Sequence, residues 1–242
     1  MPPMAILSGG LATRLRPITE TIPKSMVLVA GEPFVVHQLR MLAGQGFKKV
    51  VLLCGFLGEQ IQSCIGDGSQ FGLEVSYSFD GDVLRGTGGA VKKALPLLGS
   101  KFMLIYGDSW CPTNYRTIWE FFAESRMLGL MTVFENNNQW DTSNVQFEEG
   151  RIINYDKTAR TAAMRYIDYG VGTYRSTAFD SWGNDEAFDL SSVQRRLLQS
   201  NQLVGFPVTE RFYEIGSPTG LQEADAMMRA FHPDGSQGEI QQ

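Results

Sequence analysis

The chain has 242 residues, 43% hydrophobic and 19% charged, with a formal net charge of −5, the composition of one well-buried globular domain. An acidic balance gives no support for binding nucleic acid or an anionic membrane, both of which need a basic face. Cys54, Cys64 and Cys111 are odd in number and lack C-x-x-C spacing, which argues against a disulfide framework or a zinc site. No apolar run reaches spanning length and no basic-then-apolar leader opens the chain, so a cytoplasmic protein is expected.

A short apolar strand over residues 4–7 runs into Gly9-Gly10, and Arg14, Arg16 and Lys24 follow. A helix is predicted over 33–43, where Phe34, Val35, Leu39 and Leu42 recur at helical spacing behind Pro33. A strand at 49–54, a helix at 57–65 and a strand at 73–78 continue the rhythm. After a Gly-rich turn come a helix at 88–95 and the strand 102–106, which ends in Gly107-Asp108. A helix from past Asn114 to about 126, a strand at 130–134 and a strand-rich insertion over 144–175 follow. The chain closes with a helix at 190–199, a strand at 203–208 and a helix at 218–230. The polar residues from 232 onward are expected to be a disordered tail. His37, on a helix, is expected to be a satisfied core residue, and His232 to be inert.

Alternating strands and helices imply a largely parallel sheet with helices on both faces. In such sheets ligands sit at the carboxyl ends of strands, where both Gly9-Gly10 and Gly107-Asp108 fall. Glycines let backbone N–H groups approach phosphate oxygens, and Arg14, Arg16 and Lys24 supply countercharge, a combination suited to a triphosphate. Asp108 offers a hard oxygen of the kind that holds Mg²⁺ beside phosphates. Neither G-x-G-x-x-G nor G-x-x-x-x-G-K-[S/T] follows the first strand, which disfavours a dinucleotide-binding oxidoreductase and a P-loop NTPase.

The run Gly9-Gly10-Leu11-Ala12-Thr13-Arg14-Leu15-Arg16-Pro17-Ile18-Thr19, with Pro23-Lys24 and Gly31-Glu32-Pro33, resembles the signature G-G-x-G-T-R-L-x-P-x-T, P-K-x-x-x-P-V, G-x-P of the sugar-1-phosphate nucleotidylyltransferases, or nucleoside-diphosphate-sugar pyrophosphorylases. Ala12 stands for the third glycine, which requires a negative φ there, and Leu28-Val29 stands for Pro-Val. The resemblance covers residues 4 to about 230. It implies an α/β, three-layer αβα Rossmann-like (GT-A-like) nucleotidyltransferase with a mostly parallel mixed central sheet. One domain, 1–231, would comprise a nucleotide-binding half (about 1–113) and a sugar-binding half (about 114–231).

The family's motifs, carried over where this chain matches them, assign catalysis to Arg14, Lys24 and Asp108. Nucleotide binding would fall to Leu7, Ser8, Gly9, Gly10, Thr13, Arg14 and, through a segment like L-G-T-G-G-A, to Gly86, Thr87 and Gly88, with Arg85 as an inserted residue. Tyr155-Asp156-Lys157 resembles the E-K pair, and Ile167-Asp168-Tyr169-Gly170 the I-N-x-G segment, which makes Asp156, Lys157, Asp168 and Gly170 the substrate-binding candidates. Glu214, in Phe212-Tyr213-Glu214-Ile215-Gly216-Ser217-Pro218, occupies the position of a second metal carboxylate beside Asp108. The implied cofactor is Mg²⁺. The implied substrates are a nucleoside triphosphate and a sugar 1-phosphate, with a lean toward GTP and a heptose or hexose 1-phosphate, as in the compact members that act on heptose or N-acetylmuramic acid 1-phosphate. Two other readings stay open. One is a cytidylyltransferase acting on a non-sugar phosphate or phosphonate such as phosphocholine, which the aromatic and acidic residues Trp140, Asp156 and Asp168 would suit. The other is a regulatory protein that binds nucleotide sugars without turnover. The sequence is compatible with a homo-oligomer and does not specify one.

Overall fold

The computed structural model describes residues 1–231; the expected tail and His232 lie outside them. Its first strand, β1 (Met4–Ser8), shows how the sheet is built. Met4 and Ile6 pack into one hydrophobic cluster and Ala5 into another, as the two-residue period of a strand requires. In the strand Lys49–Cys54 the same alternation sends Val50, Leu52 and Cys54 one way and Val51 and Leu53 the other. With both faces buried, these strands read as continuous apolar runs.

In chain order, β1 is followed by β2 (Leu28–Val29), β3 (Glu32–Pro33), α1 (Phe34–Gly44), β4 (Lys49–Cys54), α2 (Gly58–Ile65), β5 (Glu74–Phe79), α3 (Gly86–Leu98), β6 (Lys101–Tyr106), β7 (Ser109–Trp110) and α4 (Tyr115–Glu124). Then come β8 (Gly129–Glu135), β9 (Val145–Glu148), β10 (Arg151–Tyr155), β11 (Tyr166–Arg175), α5 (Leu190–Gln199), β12 (Leu203–Val208), β13 (Tyr213–Glu214) and α6 (Pro218–Phe231). The main path of the sheet is β12-β8-β11-β6-β1-β4-β5, with the β9–β10 hairpin attached to β11. Pairs β6–β1, β1–β4, β4–β5 and β8–β12 are parallel, and β11 runs antiparallel to both β6 and β8. The sheet is therefore mixed and continuous across the expected boundary near residue 113, since β6 pairs with β11.

The predicted elements all form, with ends shifted by a few residues. Helix α3 starts at Gly86, two residues before the prediction, and runs through Pro96 to Leu98; the glycines that read as a turn are its first turn. The two-residue ladders β2–β3 and β7–β13 went unpredicted because two residues carry no periodicity. Asn114 caps α4 by accepting from Thr117 N at 3.2 Å, worth about 1 kcal/mol. A third cluster joins Leu15, Val27, Val29 and Phe34 to Ile215, Ala224 and Met228, so α6 forms the back wall of the segment that carries Arg14 and Lys24. Asp225 reinforces it by accepting from Ala30 N at 2.7 Å. His37 is buried in α1 with Nε2 2.7 Å from the Val29 carbonyl, a structural role as expected.

Candidate active site

Where β1 ends, the chain turns through Gly9 and Gly10 into a single 3-10 turn, Thr13–Leu15. Ala12 enters it at φ 48°, ψ 44°, which corrects the expectation of a negative φ. A left-handed alanine costs about 1–2 kcal/mol, and the surroundings hold it there. Its carbonyl accepts from Leu15 N at 3.1 Å and from Thr19 Oγ1 at 2.8 Å. Gly107 follows the neighbouring strand β6, and a Cβ there would stand 2.6 Å from Ser8 Oγ and 2.7 Å from the Leu7 carbonyl. Only glycine lets the two strand ends approach so closely.

Asp108 follows, and Lys24 Nζ lies 2.5 Å from its Oδ2. Ser109 Oγ donates to Asp108 Oδ1 at 3.1 Å. Glu214 reaches the same place through the β7–β13 ladder, opposite Ser109, while Ile215 N donates to the Asp108 carbonyl at 2.9 Å. The Glu214 carboxylate accepts from Gly216 N at 2.5 Å and Ser217 Oγ at 2.8 Å. A Cβ on Gly216 would lie 2.2 Å from Glu214 Oε2, 2.8 Å from Lys24 Nζ and 2.9 Å from an Arg14 Nη2. Four candidates, Arg14, Lys24, Asp108 and Glu214, thus gather at one spot. Among the described residues no group of three or more His, Cys, Asp or Glu side chains could hold a metal. Two carboxylates fit Mg²⁺, which takes one or two protein oxygens and completes its shell with phosphate and water.

A cleft of about 260 Å³ opens from here, lined by Leu7, Ser8, Gly9, Gly10, Ala12, Lys24, Ser25, Tyr106, Gly107 and Asp108, and onward by Asp80, Leu84, Gly86, Thr87 and Ala90. Ser8 Oγ and Ser25 Oγ are buried along it without a hydrogen-bond partner in the protein. Asp108 follows β6 and Asp80 follows β5, three strand spacings away, or about 14 Å. That separation suits a nucleotide lying across the strand ends.

At the far end Asp80 is buried, which raises its carboxyl above the usual range, while the Arg85 amide and the Arg85 and Lys93 charges pull it down in part. The inserted Arg85 is a tether. Its Nε donates to the Asp80 carbonyl at 3.1 Å, and its Nη1 to the Asn184 carbonyl at 2.9 Å and Asp185 Oδ1 at 3.2 Å. Thr87 Oγ1 donates to Asp189 Oδ1 and accepts from Leu190 N, each at 2.8 Å. Gly86 and Thr87 line the cleft; Gly88 does not. Gly88 is buried, its N–H goes to the Phe188 carbonyl at 2.9 Å, and a Cβ there would meet the Phe188 ring at 2.4 Å.

On the other side of the Gly9–Ala12 loop, Lys157 Nζ sits 5.7 Å from the ring centre of Tyr106, a cleft residue. Asp168 and Gly170 lie in an irregular stretch of β11 against β8, and Asp168 Oδ1 accepts from Gly170 N at 3.2 Å. Asp156 is occupied locally: Oδ1 takes Thr158 N, Thr158 Oγ1 and Ala159 N at 2.7–2.8 Å, and these bonds hold its carboxyl down at about 2. Trp140 has the Arg211 guanidinium 3.4 Å from its ring centre. Cys111 is buried with its thiol pushed well up, and donates to the Tyr169 carbonyl at 3.3 Å; it is no nucleophile. Thr13 stands on the exposed 3-10 turn beside the cleft.

Sequence reasoning missed Asp80, Ser25 and Tyr106. Asp80 carried a weaker signal than Asp108, a carboxylate closing an alternating polar-apolar strand; Ser25 and Tyr106 carried none.

A family model for "Nucleotidyl transferase" matches residues 4–228. The chain is 29% identical over 232 residues to the N-acetylmuramate alpha-1-phosphate uridylyltransferase of Neisseria meningitidis, covering 93% of this chain and 98% of that one. It is 25% identical over 213 residues to the D-glycero-alpha-D-manno-heptose 1-phosphate guanylyltransferase of Campylobacter jejuni, covering 88% and 94%. Several further relatives are longer, and the chain spans 52 to 65% of their length. The crystal structure of HddC from Yersinia pseudotuberculosis complexed with GMP-PN superposes with a TM-score of 0.79 at 22% identity, over 94% of this chain and all of that one. Because the family model matches nearly the whole described chain, this chain belongs to the nucleotidyl transferase family of enzymes.

Proposed function

We propose that the protein joins a nucleoside triphosphate to a sugar 1-phosphate, forming a nucleoside-diphosphate sugar and releasing pyrophosphate. The observation that carries this reading is the cleft itself. It runs from Asp80 and Gly86, past the Gly9–Ala12 loop, to Lys24 and Asp108, with Lys157 over the ring of the cleft residue Tyr106; Asp168 lies on β11, the strand next to the one that ends at Tyr106. An oxygen of the sugar phosphate attacks the α-phosphorus in line, and the bond from that phosphorus to the pyrophosphate oxygen breaks. No covalent enzyme intermediate is needed, so catalysis rests on positioning and charge.

Arg14 would hold the departing pyrophosphate and Lys24 would bridge the phosphates. Asp108, with Glu214 beside it, would hold Mg²⁺, which when bound supplies neutralising charge at the phosphates. Lys157 would clamp the incoming phosphate. Asp168 and Gly170 would meet the sugar, and Asp156 would shape the turn that carries Lys157.

For the base we favour guanine and for the acceptor a heptose or hexose 1-phosphate. Asp80 is a buried acceptor-only group at the base end, and guanine alone among the common bases has adjacent N1–H and N2–H₂ donors to satisfy one. The names of the Campylobacter and Yersinia proteins support the same choice. The uridylyltransferase relative makes UTP with N-acetylmuramate 1-phosphate the runner-up. The choline reading loses support because the Trp140 ring is covered by Arg211.

The test is Mg²⁺-dependent pyrophosphate release with GTP, UTP, CTP, ATP and dTTP against a panel of sugar 1-phosphates and phosphocholine, alongside Asp108→Ala. Release with GTP and a heptose or hexose 1-phosphate, lost in the variant, supports the reading. Nucleotide binding without release, indifferent to the variant, would leave a regulatory binding protein instead.

A further inference from the structure

Helix α5 touches both halves of the site. Its first turn is bonded to Thr87 on the nucleotide side, through Leu190 N and Asp189. About one turn later, Gln194 directs its amide nitrogen to Asp168 Oδ2 at 3.3 Å and to the Tyr174 hydroxyl at 3.1 Å. Gln194 is only 2% exposed. Because a carboxylate only accepts, the nitrogen must be the end facing Asp168, and the amide oxygen is left buried with no partner. A buried polar atom left without a partner destabilises the fold. The neighbouring inward positions of α5 are Leu190, Val193 and Leu197, all core residues. An apolar side chain at 194 would pack as they do and spare that cost, so the amide answers a need other than packing.

The need is visible at Asp168. An ionised carboxylate offers about four lone-pair positions. Gly170 N fills one on Oδ1, while Gln194 Nε2 and, at 3.5 Å, the Tyr155 hydroxyl approach Oδ2. Three donors, from β11, α5 and β10, fix the carboxylate in one orientation and leave an acceptor position over.

We propose that Gln194 is a positioning residue for the acceptor substrate. It holds Asp168 so that the remaining lone pair accepts from a hydroxyl of the incoming sugar phosphate. The inference rests on the sugar 1-phosphate reading above.

Gln194→Met removes the donor at nearly constant volume. With the full-length protein and the acceptor found active in the pyrophosphate assay, the acceptor KM should rise about tenfold. The KM for the nucleoside triphosphate should stay within about twofold. Combined with Asp168→Asn, the second change should add nothing, because both act on one hydrogen bond to substrate. Losses that simply add, or an equal rise in both KM values, would overturn the proposal and leave Gln194 a core residue. Gln194→Asn keeps an amide but withdraws it by one methylene; it should give the same split, and it carries the test if the Met variant does not fold in a thermal melt. A native enzyme silent with every sugar 1-phosphate would remove the proposed function and this inference together, whereas an active native enzyme with unaltered variants would remove this inference alone.

Discussion

Lys24 Nζ and Asp108 Oδ2 are 2.5 Å apart across a sequence separation of 84 residues, with the two side chains 16% and 31% exposed. In the free protein the lysine neutralises the carboxylate that would hold a cation. Either group alone would leave an unpaired, half-buried charge.

Lys24→Met is expected to lower kcat about 100-fold or more, the usual loss when a preorganised charge at a reacting phosphate is removed. The same variant frees Asp108, so Mn²⁺ should bind the nucleotide-free protein more tightly than it binds wild type. Pyrophosphate release and Mn²⁺ titration read the two effects separately. Unchanged turnover would exclude Lys24 from catalysis.

Ala12→Gly is expected to stabilise the fold by up to about 1 kcal/mol, since φ 48° is left-handed and glycine adopts it without a Cβ penalty, offset in part by the freer unfolded chain. Urea denaturation should show a higher midpoint with an unchanged slope. Activity should persist, because the backbone path stays the same.

Arg85→Ala removes the tether between the 80–86 segment and residues 184–185. At about 1 kcal/mol for each of one or two bonds, the KM for the nucleoside triphosphate should rise roughly five- to thirtyfold, with the acceptor KM nearly constant. Steady-state kinetics with each substrate varied in turn decides it. A loss confined to the acceptor would contradict the assignment of this loop.

Asp156 gives a pH signature. Its carboxyl is held at about 2 against an ordinary 3.8 by Thr158 and Ala159 donors, so its ionised form stabilises the folded chain. That contribution is complete above the ordinary carboxylate range and is lost as the pH falls from about 4 to about 2. Asp156→Asn should therefore be less stable than wild type at neutral pH, with the gap closing toward pH 2. A gap that widens on acidification would refute the turn role.

Much of this was legible beforehand. The fold followed from apolar runs of four to six residues alternating with helical periodicity, and the two strand ends at Gly9 and Asp108 marked the site. Residues whose roles depend on tertiary contact were not legible. Gln194 reads as an ordinary polar position on a helix until β11 is laid against it. Gly88 reads as part of a glycine loop until Phe188 arrives, 100 residues later in the chain. Arg85, an oddity in sequence, makes sense only when residues 184–185 are seen beside it. The φ of Ala12 was misjudged because local steric preference was weighed without Thr19 and Leu15, which bond its carbonyl.

Along the sheet the order β5, β4, β1, β6, β11, β8 puts the Asp80 loop on one flank of the Gly9–Ala12 loop and Asp168 of β11 on the other. Under the proposed function, preferences for donor and acceptor would then be written in stretches of chain that do not overlap. An ancestral gene could exchange one without rewriting the other, and product diversity would grow as a product of two choices. The residues from Asn184 to Gln194 are the exception, since they answer to both flanks. A loop grafted from a relative should therefore succeed more often when this segment travels with it.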